Sequence, residues 1–313
     1  MENQIINRKY GWKKDSFDSR DYIFKASLPM VGNYYEVDLR SECPPVMDQK
    51  NLASCTACAT TAMVQFVRKK QKLEDWQPSP LFTYYVTRIM ESTVSVDGGA
   101  QVRNALKSTV NHGVVREDLW AYDTSKVFIR PDKDIFEEGL KHQTLEYHRI
   151  ADGFINYMRH CLYEGYPFTF GLMLWDSFNS EETIKTGVVK TPNYLAENGL
   201  GGHCMLCVGW KMLFGEIHFI VQNSWGTNWG DKGYCYIPES YIRNKTTAFD
   251  FWTIRLEEGD EPEIVPVINP VIEPPIVPTI EPIVKPIIEK KKSFFEKVKN
   301  FIKNIFNKIK QRI

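Results

Sequence analysis

Residues 48–60 read DQKNLASCTACAT, and Cys55 within this stretch anchors the reading of the whole chain. Polar loop residues give way after Ser54 to an apolar pattern through Cys58, Ala59, Ala62, Met63, Phe66 and Val67. That spacing predicts a helix over 55–72 with Cys55 in its first turn. The free N–H groups and partial positive charge of a helix N-terminus stabilise a thiolate. Two later stretches supply matching chemistry. GGHCMLCVGW, residues 201–210, carries His203 into a strand, and VQNSWGTNWGDKGY, residues 221–234, places Asn223 after a strand with Trp225 two residues on. A cysteine at a helix start, a distant histidine and a distant asparagine are the residue types of a nucleophile, its base and an orienting partner.

Outward from Cys55, residues 79–91, 99–112 and 151–164 also read as helices. The pattern then changes. PFTFGLML, HCMLCVGW, EIHFIVQ and GYCYI are short apolar runs separated by glycine-rich turns, so they read as strands. Helices first and strands later predict an α+β protein with two segregated halves.

The chain has 313 residues, 43% hydrophobic and 25% charged, enough for about two globular lobes. Net charge is zero but unevenly spread. Residues 290–313 carry nine Lys/Arg against one Glu, and residues 257–289 carry eight acids against one Lys. The body is near neutral, so no nucleic acid is expected on the core domain. The first ten residues hold no apolar stretch, so no secretory signal is read there. Seven cysteines, an odd number, then predict free thiols in an intracellular, cytoplasmic-type reducing compartment. The Lys-, Ile- and Asn-rich composition points to an AT-rich genome such as that of a large DNA virus, which would place the protein in a virion or host cytoplasm.

Four segments follow. Residues 1–36 form an aromatic, charged leader, and residues 37–256 have steady globular composition, helical over about 37–145 and strand-rich over about 146–256. In 257–289 prolines recur every fourth residue from 262 to 286, which excludes helix or central strand and predicts a stiff, extended spacer. In 290–313 Phe294, Phe295, Val298, Phe301, Ile302, Ile305 and Phe306 recur at helical spacing opposite lysines, with Ser293 and Glu296 as a capping box. This cationic amphipathic helix suits an anionic membrane surface, a protein partner or its own domain.

The motifs together resemble the papain-like cysteine peptidases, in the form found in bacterial and viral members without a large propeptide. The family's Gln-x-x-x-x-x-Cys appears as Gln49 and Cys55, its histidine as His203, and its Asn-Ser-Trp-Gly as Asn223-Ser224-Trp225-Gly226, with Trp229-Gly230 and Gly233-Tyr234 beyond. Val37-Asp38-Leu39-Arg40 resembles the opening of the family domain, and Asp97-Gly98-Gly99 the wall of its cleft. The match covers about residues 37–256. It implies a two-lobed fold, a helical left lobe and an antiparallel, β-barrel-like right lobe with the cleft between them. It implies a thiol endopeptidase acting on proteins or peptides without metal or cofactor. In that reading Cys55 attacks the carbonyl, His203 holds the thiolate and protonates the leaving amine, and Asn223 orients the imidazole under Trp225. Gln49 and the Cys55 N–H form the oxyanion hole, and Gly98, Gly99, Gly202 and Trp225 line the substrate cleft.

Departures from the family pattern carry their own expectations. The family's disulfide beside the nucleophile falls on Leu52 and Val96, read here as two buried aliphatic groups replacing the bridge. Thr56 stands where the family has Trp and is read as loosening the packing there. The leader, with Trp12, Phe17, Asp18 and Arg20, is read as packing on the domain in preference to crossing the cleft. Competing readings are a catalytically inactive papain fold serving as a scaffold anchored by its tail, a peptide ligase on the same site, and zinc or dithiol chemistry at Cys55/Cys58 and Cys204/Cys207. The last is disfavoured because the two pairs lie 146 residues apart.

Overall fold

The computed structural model describes residues 8–25 and 36–259. The expected spacer, apart from its first three residues, and the expected cationic helix lie outside them. In chain order the elements are β1 (Trp12–Lys13), β2 (Val37–Asp38), α1 (Cys55–Lys70), α2 (Pro80–Met90), β3 (Ala100–Gln101), α3 (Val102–His112), α4 (Lys133–Gly139), β4 (Thr144–Ile150), α5 (Ile155–Tyr163), β5 (Phe168–Trp175), α6 (Glu181–Thr186), β6 (Gly199–Leu213), β7 (Glu216–Gln222), β8 (Tyr234–Pro238), α7 (Glu239–Ile242) and β9 (Ala248–Glu257).

The helical lobe is built around α1, which is buried on nearly every side, including Cys55, Ala57, Met63, Val64, Phe66 and Val67. A helix surrounded by protein needs no amphipathic stripe, which is why its sequence mixes Thr and Gln with apolar residues. Helix α2 begins at a side-chain cap, Ser79 accepting from the Phe82 N–H, with Pro80 in the first turn. The second lobe is an antiparallel sheet in the order β4-β9-β5-β6-β7-β8, with β2 added to β6. One core lies inside this lobe around Phe168, Phe170, Trp210, Phe219 and Phe251. Another joins the lobes, placing Cys55, Met63, Phe66 and Val67 of α1 against Cys204, Leu206, Val208 and Ile220 of the sheet. Cys204 and Cys207 belong to different cores, as the alternation of a strand requires.

The paired-aliphatic reading of Leu52 and Val96 is overturned. Leu52 is buried, but Val96 is 58% exposed. The tie between these two segments is polar: the Asp97 carboxylate accepts from the Ala53 N–H at 3.0 Å and the Tyr84 hydroxyl at 2.7 Å. Tyr84 Oη in turn accepts from the Gly99 N–H at 3.1 Å. One buried carboxylate thus joins the loop before α1, helix α2 and the glycine edge before β3. Hydrogen bonds to a charged acceptor stabilise by about 1.5–3 kcal/mol each, so Asp97→Ala is expected to lower unfolding free energy by about 3 kcal/mol in urea titrations. Thr56, where the family has Trp, is fully buried, and its hydroxyl oxygen has no hydrogen-bond partner.

Candidate active site

The segments singled out in the sequence converge at the junction of the lobes. Cys55 is the first residue of α1, at its open N-terminus, and is 0% exposed. His203 lies on β6, also 0% exposed, and the backbone N–H of Cys204 beside it donates to Cys55 Sγ at 3.5 Å. Asn223 follows β7, and its Oδ1 meets His203 Nε2 at 2.8 Å. That oxygen also accepts from the Ser224 N–H at 2.8 Å, which fixes the amide's orientation. His203 Nδ1, the other ring nitrogen, is buried without a hydrogen-bond partner. The Trp225 ring lies 4.9 Å from the imidazole centroid, and Phe178 and Trp229 pack edge-on against it at 5.6 and 5.1 Å. The aromatic cluster keeps water from the His203–Asn223 bond.

Gln49 is fully buried in the loop before α1. Its Oε1 accepts from the Ser224 hydroxyl at 2.6 Å, so Nε2 faces the other way. Nε2 donates to the Leu52 carbonyl at 2.8 Å and to the Lys9 carbonyl at 3.2 Å. Ser224 was not assigned a role from sequence. Its place inside the Asn-Ser-Trp-Gly run was the available signal.

The Lys9 contact belongs to a larger arrangement that overturns the expectation for the leader: residues 8–13 run through the cleft. Arg8 pairs with Asp48 at 2.6 Å and donates to the Trp225 carbonyl at 3.1 Å. Lys9 pairs with Asp97 at 2.7 Å. The Gly11 amide lies against the Cys55 sulfur, and the Gly11 carbonyl accepts from the Ala100 N–H at 2.8 Å. Strand β1 pairs with β3 in parallel, Trp12 opposite Ala100. The approach is close enough to require glycine: a Cβ on Gly99, whose φ is +81°, would lie 1.8 Å from the Gly11 oxygen. Gly98 sits one residue before that contact, and Gly202 lies under the Trp12 ring. Further along, Phe24 is buried in the core of the second lobe, so the later leader does pack on the domain.

Burial sets the electrostatics of the pair. Loss of solvent pushes the Cys55 thiol up to about 11, against the pull of the surrounding backbone N–H groups. It pushes His203 down to about 4, opposed by the Asn223 hydrogen bond and assisted by the Arg8 charge. With the leader in place both groups are neutral near pH 7. The sulfur faces an N–H, whereas the carbonyl on the Gln49 amide belongs to Lys9, two residues earlier.

A family model described as papain family cysteine protease matches residues 35–248. A peptidase C1-like protein of Acanthamoeba polyphaga mimivirus is 32% identical over 280 residues, 82% of this chain and 89% of that one. A viral cathepsin of Epiphyas postvittana nucleopolyhedrovirus is 25% identical over 61% of this chain and 55% of its own. Among solved structures, xylellain, a cysteine protease from Xylella fastidiosa, superposes with a TM-score of 0.70 at 32% identity, covering 80% of this chain and 96% of that one. The family model and these two relatives at 32% identity agree with the cleft geometry: the chain belongs to the papain family of cysteine proteases.

Proposed function

We propose that this cysteine peptidase cleaves peptide bonds with Cys55, His203, Asn223 and Gln49, and that its own leader holds it latent. One observation carries the reading most: the cleft already holds a peptide backbone, with a carbonyl on the Gln49 amide and an amide on the Cys55 sulfur. Once the leader leaves, solvent reaches both groups. The thiol proton then passes to His203 Nδ1, the ring atom the fold leaves unbonded. Cys55 Sγ attacks the substrate carbonyl carbon, and the developing oxyanion is met by Gln49 Nε2 and the Cys55 N–H. The C–N bond breaks as His203 returns its proton to the leaving amine. Water, deprotonated by His203, then hydrolyses the thioester and restores the thiol. The His203–Asn223 bond engages Nε2, which leaves Nδ1 for this proton transfer.

The test is intact-mass labelling of the full-length chain by a peptidyl epoxysuccinate at pH 6. Trp12→Ala is expected to label at one site. Adding Cys55→Ser should abolish that label, and adding His203→Ala should slow it by about 10-fold or more, since the thiolate then loses its counter-ion. Labelling spread over several cysteines, or indifferent to His203→Ala, would sink the peptidase reading in favour of a binding scaffold.

A further inference from the structure

Ser54 stands at the N-cap of α1, yet its side chain caps nothing. A serine there ordinarily turns its oxygen onto a free N–H of the first turn. Here the hydroxyl is buried and bonds instead to the hydroxyl of Tyr122, 68 residues on. Tyr122 Oη also lies 3.0 Å from the Gln49 carbonyl. A carbonyl only accepts and a phenol has one proton, so that proton goes to Gln49. The Ser54 hydroxyl must then donate to Tyr122, and the Cys58 thiol, 3.8 Å away, to Ser54. Tyr122 is itself firmly held, in the segment between α3 and α4. Its N–H donates to Glu117 at 2.6 Å, and its ring packs against the core that holds Leu52 and Trp120. Burial holds its phenol proton well above the ordinary tyrosine value, so it stays a donor across the working range of pH.

We propose that Tyr122 is a positioning residue of this peptidase: its hydroxyl fixes the loop between Gln49 and Cys55 and, by drawing the Ser54 hydroxyl away from α1, keeps the helix end open to the thiolate. The proposal deepens the peptidase reading above and rests on it. Gln49 and Ser54 bound the loop between the two oxyanion donors, Gln49 Nε2 and the Cys55 N–H. Tyr122 closes that loop from outside and so sets the spacing of the donors. The loop needs such a tie, because Lys50 within it has a φ of +53°, a costly conformation for a residue with a side chain. With the cap diverted, the N–H groups of Cys55 and Thr56 lie against the sulfur. A phenylalanine at 122 would keep the ring and lose both bonds. The Gln49 carbonyl would retain the Leu52 N–H at 3.2 Å, a partner inside the loop that cannot tie it to the rest. The released Ser54 hydroxyl, buried and without its acceptor, would turn to the helix N–H groups and compete with the sulfur for them.

The test uses the full-length chain carrying Trp12→Ala, with and without Tyr122→Phe. Peptide hydrolysis should lose about 10-fold or more in kcat with KM within about twofold, since a misplaced donor is missed in the transition state and not in binding. Iodoacetamide alkylation of Cys55, followed by intact mass, should slow by about threefold or more at pH 6, and its pH midpoint should rise, because the thiolate loses helix N–H groups. Adding Ser54→Ala removes the competing hydroxyl. It should restore the alkylation rate and leave the kcat deficit, a split that a purely structural role for Tyr122 would not give. A kcat unchanged by Tyr122→Phe, or an effect on KM alone, overturns the proposal. So does alkylation that Tyr122→Phe leaves unchanged or that Ser54→Ala fails to restore. Alkylation in the expected order with no peptide cleaved by the Trp12→Ala chain overturns the peptidase reading and leaves the hold of Tyr122 on the helix end standing.

Discussion

In a full-length Trp12→Ala background, Gln49→Ala is expected to lower kcat/KM for a peptide substrate by about 100- to 1000-fold. The background matters because Gln49 also holds the leader through the Lys9 carbonyl, so in the unaltered chain its loss would free the cleft and weaken catalysis together. The expected size follows from what Nε2 does. It is pre-aimed by the Ser224 hydroxyl on Oε1, so it need not reorganise when charge appears on the substrate oxygen. A donor already in place inside a water-excluded site acts far more strongly on that charge than solvent would. Alkylation of Cys55 by iodoacetamide builds no oxyanion and should stay within about twofold of the background, which separates lost catalysis from a disturbed fold. Equal loss of both would mean that Gln49 only supports the loop through the Leu52 carbonyl.

The residues of the candidate site were legible because they sit in short runs of distinctive sequence. Cys55 opens a helix, and His203 and Asn223 are brought together by adjacent strands of one antiparallel sheet, a pairing that strand-like runs foretell. The expected helix over 55–72 exceeds α1 by only two residues. What the sequence hid is made of backbone and of absence. The leader's hold on the cleft runs through the Lys9 carbonyl and the Gly11 amide, groups that every residue has. The slot for Trp12 is bounded by Gly171 and Gly202, defined by side chains not present. The leader's burial was readable from its aromatics, but which surface would bury them was not. Asp97 was read only as part of a glycine motif, because its partners Ala53 and Tyr84 lie 44 and 13 residues away and neither signals a carboxylate. The lost disulfide suggested a hydrophobic replacement, whereas the fold uses a buried acceptor with several donors.

Trp12→Ala in the full-length chain is expected to raise peptide hydrolysis and Cys55 alkylation by about 100-fold. Removing a buried tryptophan costs about 3 kcal/mol or more, and if only the open fraction reacts, that loss multiplies the open fraction by roughly that factor. The leader's second anchor adds a dependence on pH. Asp15 and Asp250 meet in the interior: the Asp15 N–H donates to Asp250 Oδ2 at 2.8 Å, and the Trp252 indole donates to Asp15 Oδ2 at 2.9 Å. Arg103 offers its backbone N–H to Asp15, but its guanidinium is engaged by Asp21, while Arg149 is shared among Asp21, Asp152 and Asp250. Burial first, and the Asp250 charge second, raise Asp15 from 3.8 to about 7. A docked leader therefore keeps a proton that a free leader releases. Docking is strongest below the ordinary carboxylate value, weakens as pH rises through about 7, and changes little beyond. The unaltered chain should accordingly gain activity between pH 5 and about 7 more steeply than an Asp15→Asn chain, which keeps an acceptor for Trp252 but carries no titrating proton. Because the Cys55–His203 pair titrates in both proteins, the ratio of the two profiles isolates the leader. A flat ratio would show that the carboxylate pair does not govern release, and a ratio falling with pH would reverse the sign of the argument.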